Sequence, residues 1–157
     1  MAVEIERKFL VTGDGWRSKA TSSSALRQGY LSTSAKATVR VRIFDDERAV
    51  LTLKGPTDGI SRAEFEYDVP LDDGLALLDM ARPNVVEKRR FIVPHEGLTW
   101  EVDVFEGAHH GLVMAEVELT AADQTVSLPD WAGREVSHDD RYANASLSRS
   151  PGVPVPE

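Results

Sequence analysis

The sequence predicts an α+β, mainly β fold: an eight-stranded antiparallel β-barrel closed around a charged lumen, with a few short helices on its outside or plugging one end. Three observations lead there. First, charged residues recur two apart on six segments: Glu4, Glu6 and Lys8; Arg40 and Arg42; Glu64 and Glu66; Lys88 and Arg90; Glu101 and Asp103; Glu116 and Glu118. Residues two apart share one face of a strand. Second, the signs are largely sorted by strand, whereas a solvated face mixes them with neutral polar residues. Third, the opposite faces, such as Trp100, Val102 and Val104, or Phe65, Tyr67 and Val69, are apolar enough to need cover of their own. For any one strand a solvated charged face is the default. For the set, an inward charged face fits better, and eight strands are enough to close a barrel without exposed edges.

Strands are expected over 3–11, 25–32, 38–44, 49–54, 62–69, 86–93, 99–105 and 113–119. Asp45-Asp46-Glu47 reads as a tight turn joining the third to the fourth, His95-Glu96-Gly97 separates the sixth from the seventh, and Gly107 to Gly111 the seventh from the eighth. Three helices are expected. The first covers 14–20, with Asp14 as N-cap. The second covers 71–82, with Asp72 and Asp73 at its start, Leu75, Leu78 and Met80 on its apolar side, and Pro83 beyond its end. The third covers 139–147, anchored by Tyr142 and Leu147. One domain over 1–147 and a flexible tail over 148–157, with three prolines and little to bury, complete the reading.

The 157 residues are 41% hydrophobic and 28% charged, ordinary values for a globular domain with a sizeable core. No apolar run approaches the roughly 18 residues that would span a bilayer, and the opening does not resemble a signal peptide. The absence of cysteine removes disulfides, thiolate nucleophiles and Cys-ligated zinc. These features predict a cytoplasmic protein without a membrane partner. A net charge of −8 argues against a nucleic-acid polymer as ligand. It leaves room for a small anion bound by a local basic patch or a carboxylate-held cation.

A charged lumen has an electrostatic consequence. Carboxylates two residues apart on a strand stand roughly 6.6 Å apart, and at an effective dielectric of about 20 they repel by roughly 2.5 kcal/mol per pair. Several such pairs facing one cavity need cations. Lys8, Arg40, Arg42, Lys54, Lys88 and Arg90 supply some compensation, and a divalent ion with hard oxygen ligands, Mg²⁺ or Mn²⁺, would supply the rest. Bases left over on other walls suit phosphate oxygens.

The motifs that carry these charges resemble those of CYTH domains, the triphosphate tunnel metalloenzymes, in their short bacterial form. They run in order: Glu4-x-Glu6-x-Lys8, Gln28-Gly29-Tyr30-Leu31, Val39-Arg40-Val41-Arg42, Leu53-Lys54-Gly55, Arg62-x-Glu64-x-Glu66, Lys88-x-Arg90-Phe91, Glu101-x-Asp103, Ala115-Glu116-Val117-Glu118, Gly133-Arg134-Glu135-Val136 and Arg141-Tyr142-x-Asn144-x-x-Leu147. Alone, ExExK is a weak signal; the ordered set is a strong one. The resemblance implies a tunnel that binds a triphosphate and hydrolyses or cyclises it with Mg²⁺ or Mn²⁺. It assigns the principal metal to Glu4, Glu6 and Glu118, with Glu116, Glu64, Glu66 and Asp103 near a second ion or its waters. It assigns phosphate contacts to Lys8, Arg40, Arg42, Lys54, Lys88 and Arg90, with Arg141 near one tunnel mouth.

Inorganic tripolyphosphate is the first substrate expected from that resemblance. Thiamine or nucleoside triphosphates, cyclisation of ATP to cyclic AMP, and noncatalytic polyphosphate or nucleotide binding are the alternatives. No cysteine and no serine elbow offers a covalent route, so water is the expected nucleophile. All four histidines are expected at the surface, and Trp16, Trp100 and Trp131 in an exterior core. Arg7 and Arg89 are expected on the outer face, and a salt bridge to Arg40 or Arg42 competes with metal for Glu64 and Glu66. An exposed apolar barrel face would suit a homodimer.

Overall fold

The structure is a computed structural model that describes residues 3–34 and 36–154. Among these residues nine strands form one sheet: β1 (Val3–Val11), β2 (Ser22–Thr33), β3 (Thr38–Phe44), β4 (Arg48–Lys54), β5 (Ser61–Val69), β6 (Val85–His95), β7 (Leu98–Glu106), β8 (Val113–Glu118) and β9 (Ala132–Glu135). Their order is β5-β4-β3-β2-β6-β7-β8-β1-β9, and a further β5–β1 pairing closes the first eight into a barrel. Every pairing is antiparallel. β1 makes closure possible by dividing one edge between two partners. Val3, Glu4 and Ile5 pair with β5, while Phe9 and Val11 pair with β9. Its other edge pairs with β8 from Glu6 to Leu10.

Local chemistry fixes the hairpins. Asp45 and Asp46 have φ of +53° and +57°, and the Glu47 amide donates to the Phe44 carbonyl at 2.9 Å. Glu96 and Gly97 form a two-residue turn between the paired His95 and Leu98, again with positive φ at both. Left-handed values at both central residues match the right-handed twist of the strands they join.

Apolar packing covers the outside of the barrel. Phe9, Val93, Trp100, Val102, Ala115 and Val117 point outward from β1, β6, β7 and β8 and pack with Trp16, Leu119 and Trp131. The expected exterior tryptophan core is therefore present. On the other flank, helix α1 (Leu71–Ala81) covers Val41, Ile43 and Ala49. Gly74 lets the helix backbone come that close, because a Cβ there would collide with the Cβ of Ala49. No helix among the described residues is long and apolar enough to cross a membrane.

Three helix expectations need correction. The first helix is a single 3₁₀ turn, Arg17–Lys19, and Asp14 contributes its carbonyl rather than a capping side chain, accepting from the Arg17 amide at 3.0 Å. Burial of Trp16 against Phe91, with ring centroids 4.9 Å apart, holds this segment in place of a longer helix. In α1 the buried stripe is Gly74, Leu78 and Ala81, so Met80 falls off it and is 73% exposed. The third helix is broken into a 3₁₀ turn, Asp140–Tyr142, and α2 (Asn144–Leu147), because Ala143 between them is extended. The chain after α2 is held as far as Gly152, whose amide donates to the Ala108 carbonyl at 2.7 Å; residues 155–157 lie outside the described residues.

Candidate active site

Strand alternation delivers the charged faces to the lumen. Glu4, Glu6, Lys8, Arg40, Arg42, Lys54, Glu64, Glu66, Lys88, Arg90, Glu101, Glu116 and Glu118 all line one cavity of about 540 Å³. Register sets who meets whom. Lys54 stands opposite Glu64, and its ammonium donates to both oxygens of Glu4 at 2.8 and 2.9 Å and lies 3.4 Å from Glu64. Lys8 stands opposite Glu116, 3.6 Å away. Arg90 stands opposite Asp103, grips it with two bonds of 2.8 and 2.9 Å, and lies 3.0 Å from Glu101. Lys88 reaches the same Asp103 at 2.6 Å. Arg42 donates to Gln28 at 2.8 Å, and Arg40 to Thr52 at 3.2 Å. The Arg40 Nε is buried with no partner among the described residues.

The charges are compensated unevenly. Burial raises the carboxyl pKa of Asp103, but Arg90 and Lys88 outweigh it and hold the group below its ordinary value. Glu116 is likewise held well down against burial, by Lys8, Arg90 and Lys88. Glu6 goes the other way: burial and then the neighbouring Glu116 push it up to about 8. Glu4 is raised by burial despite Lys54, and Glu118 by burial and by Glu4. Glu6 and Glu118 are also direct cross-strand partners, an arrangement of like charges that destabilises a sheet. On the basic side, burial and then Arg40 and Arg90 push Arg42 down to about 9. Burial pushes Lys88 down to about 7 against the help from Asp103, and Arg90 and Arg42 add to the lowering. Among the described residues Glu6 and Glu118 thus form no ion pair with a base, and Arg40 and Arg42 none with an acid.

Comparison with known proteins identifies the family. The CYTH domain model matches residues 2–149. This chain belongs to the CYTH family. An inorganic triphosphatase of Acetivibrio thermocellus is 44% identical over 152 residues, covering 96% of each chain. An inorganic triphosphatase of Nitrosomonas europaea is 37% identical over 154 residues, covering 94% of this chain and 97% of that one. A solved inorganic triphosphatase structure matches with a TM-score of 0.68 at 33% identity, over 97% of this chain and 98% of the other. The triphosphatases of the CYTH family are metal-dependent.

The donor set of this CYTH chain suits a hard divalent ion: Glu4, Glu6 and Glu118 offer carboxylate oxygens, and burial, with neighbouring carboxylates, raises the proton affinity of all three. Among the described residues no three acidic or histidine side chains already converge tightly enough to enclose an ion. Glu4 is held instead by Lys54. Glu64 pairs with Lys54 rather than with Arg40 or Arg42, and Glu66 accepts from Thr52 at 3.4 Å.

Two expected site residues lie elsewhere. Asp103 does not line the cavity; it is buried behind it, with its oxygens engaged by Arg90 and Lys88. Arg141 does not line it either. Its guanidinium is held by Asp139 at 2.7 and 3.0 Å, beside a separate surface hollow. His109, expected at the surface, is 2% exposed. Arg7 is on the outer face as expected, bonded to Glu135 at 2.7 and 2.9 Å. Gln28, Thr52, Arg62 and Asn144 join the charged set without an expected role of their own. Arg62 shares the face of Glu64 and Glu66 and lines the cavity, so its signal was the same i, i+2 rule. Gln28 and Asn144 stood in the family motifs, but their meeting is a tertiary fact.

Proposed function

We propose that this CYTH protein is a metal-dependent inorganic triphosphatase, hydrolysing tripolyphosphate to pyrophosphate and phosphate with Mg²⁺ or Mn²⁺. The observation that carries the reading is the uneven compensation within one cavity. Glu6 and Glu118, which form no ion pair among the described residues, face Arg40 and Arg42, which meet only the neutral Thr52 and Gln28 there. A metal-bound, highly anionic condensed phosphate balances both at once. The names of the relatives, at 44% and 37% identity over nearly full length, support the same substrate.

Phosphoryl transfer asks the protein for position and charge. Glu4, Glu6 and Glu118 would hold the ion, and Glu64 and Glu66 lie on the neighbouring wall to receive a second ion or its water. Bound there, the ion supplies Lewis-acid polarisation of phosphate oxygens. Lys8, Arg40, Arg42, Lys54, Lys88 and Arg90 orient the chain of phosphates by donating to its oxygens. Water attacks the terminal phosphorus as the bridging P–O bond breaks, its proton passing to an oxygen of the released phosphate, and the charge that builds on the departing pyrophosphate falls on the guanidinium and ammonium groups. Asp103 and Glu116 keep Arg90, Lys88 and Lys8 in place for that role.

The test is release of phosphate and pyrophosphate from tripolyphosphate, thiamine triphosphate and ATP, each with Mg²⁺ and with Mn²⁺. Tripolyphosphate turning over fastest, and only with metal, is the expected result. Binding without turnover of any of the three would remove the enzyme reading. Cyclic AMP as the main product from ATP would replace hydrolysis by cyclisation.

A further inference from the structure

His109 lies in a glycine-flanked turn (Gly107–His109) yet is buried, and its ring engages two carbonyls together. Nε2 lies 2.6 Å from the Leu147 oxygen and 2.9 Å from the Ser150 oxygen. Both partners are acceptors, so Nε2 carries the hydrogen and shares it between them. The adjacent Ala108 carbonyl accepts from Gly152, which fastens the same stretch a second time. Leu147 ends α2, and Asn144 begins it. A helix of four residues is not stable by its own hydrogen bonds. Its position comes from anchors such as these and from the burial of Tyr142 and Leu147.

Asn144 is the residue so positioned in the cavity wall. The Lys88 ammonium can only donate, so the atom it meets at 2.9 Å is the Asn144 Oδ1. Gln28 is oriented by the same logic. Arg42 donates to its Oε1, leaving Nε2 to donate to the Asn144 Oδ1 at 3.2 Å. With Oδ1 taken twice, the Nδ2 donor is left without a hydrogen-bond partner among the described residues.

We infer that Asn144 is a substrate-facing residue, donating its amide N–H to a phosphate oxygen at the closed end of the cavity, and that His109 is the positioning residue that holds it there. The inference rests on the condensed-phosphate reading of the cavity. A neutral donor suits this place, because Arg40, Arg42, Lys88 and Arg90 already crowd it with positive charge.

The test reads binding of inorganic pyrophosphate in Mg²⁺ by calorimetry, beside steady-state kinetics on tripolyphosphate, for wild type, Asn144→Ala, His109→Phe, His109→Gln and the Asn144→Ala/His109→Phe double variant. Asn144→Ala is expected to weaken pyrophosphate binding about tenfold. His109→Phe keeps the ring volume but loses the donor, and is expected to weaken binding by a similar factor, raising KM more than it lowers kcat. His109→Gln, which keeps an N–H, recovers most of the affinity. The double variant binds within twofold of either single one, because both disrupt one contact.

A His109 that only supports the fold would lower the unfolding temperature and leave Kd and KM of the folded protein at wild-type values, and that result overturns the positioning role. Effects that multiply to about a hundredfold in the double variant also overturn it. If His109→Phe does not fold, the Asn144 arm decides: Asn144→Ala within twofold of wild type overturns the proposal. Wild type that binds pyrophosphate without cleaving tripolyphosphate removes the hydrolase reading alone, while absence of both binding and turnover removes both.

Discussion

The two ends of the lumen are built from the same strands but from opposite chemistry. Along β1 the inward face runs Glu4, Glu6, Lys8 and then Leu10; along β6 it runs Arg90, Lys88 and then Val86; along β7, Glu101, Asp103 and then Phe105; along β8, Glu118, Glu116 and then Met114. On β2 Gln28 gives way to Tyr30. The apolar ends gather with Leu112, Val136, Tyr142 and Leu147 into one dry floor. Above it the charges stand in a cavity, and at the far rim Glu118 is exposed. The floor excludes water from one side of the charged layer. That raises the cost of any unpaired charge near it, which is why Lys88 and Asp103 sit in direct contact there. Depth in the barrel, as much as residue type, decides which charges are satisfied by protein and which are left for a ligand.

The contrast can be broken most severely at the charged end. Glu6→Ala is expected to lower tripolyphosphate turnover by more than about a hundredfold, since loss of even indirect supports of a metal costs about ten- to a hundredfold. Its circular dichroism should match wild type, and an active Glu6→Ala protein would contradict the metal assignment.

The floor should answer in stability rather than chemistry. Phe105→Ala is expected to cost about 3–5 kcal/mol in denaturant unfolding. Turnover per folded molecule should persist at temperatures where the variant remains folded. Loss of turnover in a fully folded Phe105→Ala protein would show that the floor acts directly on the reaction.

A pH titration sharpens the comparison. The Glu6 carboxyl is raised to about 8 in the metal-free fold against about 4.5 when unfolded. Between those values the native state binds the extra proton, so stability is full below the lower value and falls as pH rises through the upper one. Metal-free protein should lose a few kcal/mol at most across that window. Glu6→Gln should flatten the loss, and Mg²⁺ or Mn²⁺ should offset it. Unfolding midpoints at pH 5 and pH 8.5 check all three.

The smallest effect belongs outside the lumen. Arg7→Ala removes a surface pair with Glu135 and is expected to cost only a few tenths of a kcal/mol, because both side chains are partly exposed and screened. The Arg7 hydrogen bond holds the Glu135 carboxyl below its ordinary value. The difference between wild type and Arg7→Ala should therefore be present above the ordinary carboxylate range and vanish as pH falls through and below it. A pH-independent difference in unfolding midpoint would show that packing, not charge, is lost.

Much of the fold was legible because strand periodicity is a local signal. β1 and β3 match their expected bounds, and the other six barrel strands differ only at their ends. β9 was not legible as a strand: Ala132–Glu135 is short, contains a glycine and lacks alternation, and it pairs only because β1 leaves part of an edge open. His109 was misread for a related reason. Flanking glycines suggest an exposed loop, but the carbonyls of Leu147 and Ser150 that bury it arrive from 38 and 41 residues away. Asp103 shows the limit within the site itself: its position on the charged face was readable, its full engagement by Arg90 and Lys88 was not.

By itself the sequence determined which side chains share a strand face, that those faces carry sorted charge, and that the chain's motifs follow the CYTH order. Each of these depends on spacing along the chain. The tertiary structure decided where β1 splits its edge, which end of the lumen α2 and the apolar floor close, and which acids meet a lysine or arginine. Those outcomes depend on register between strands and on depth from solvent, and neither is a property of any single segment.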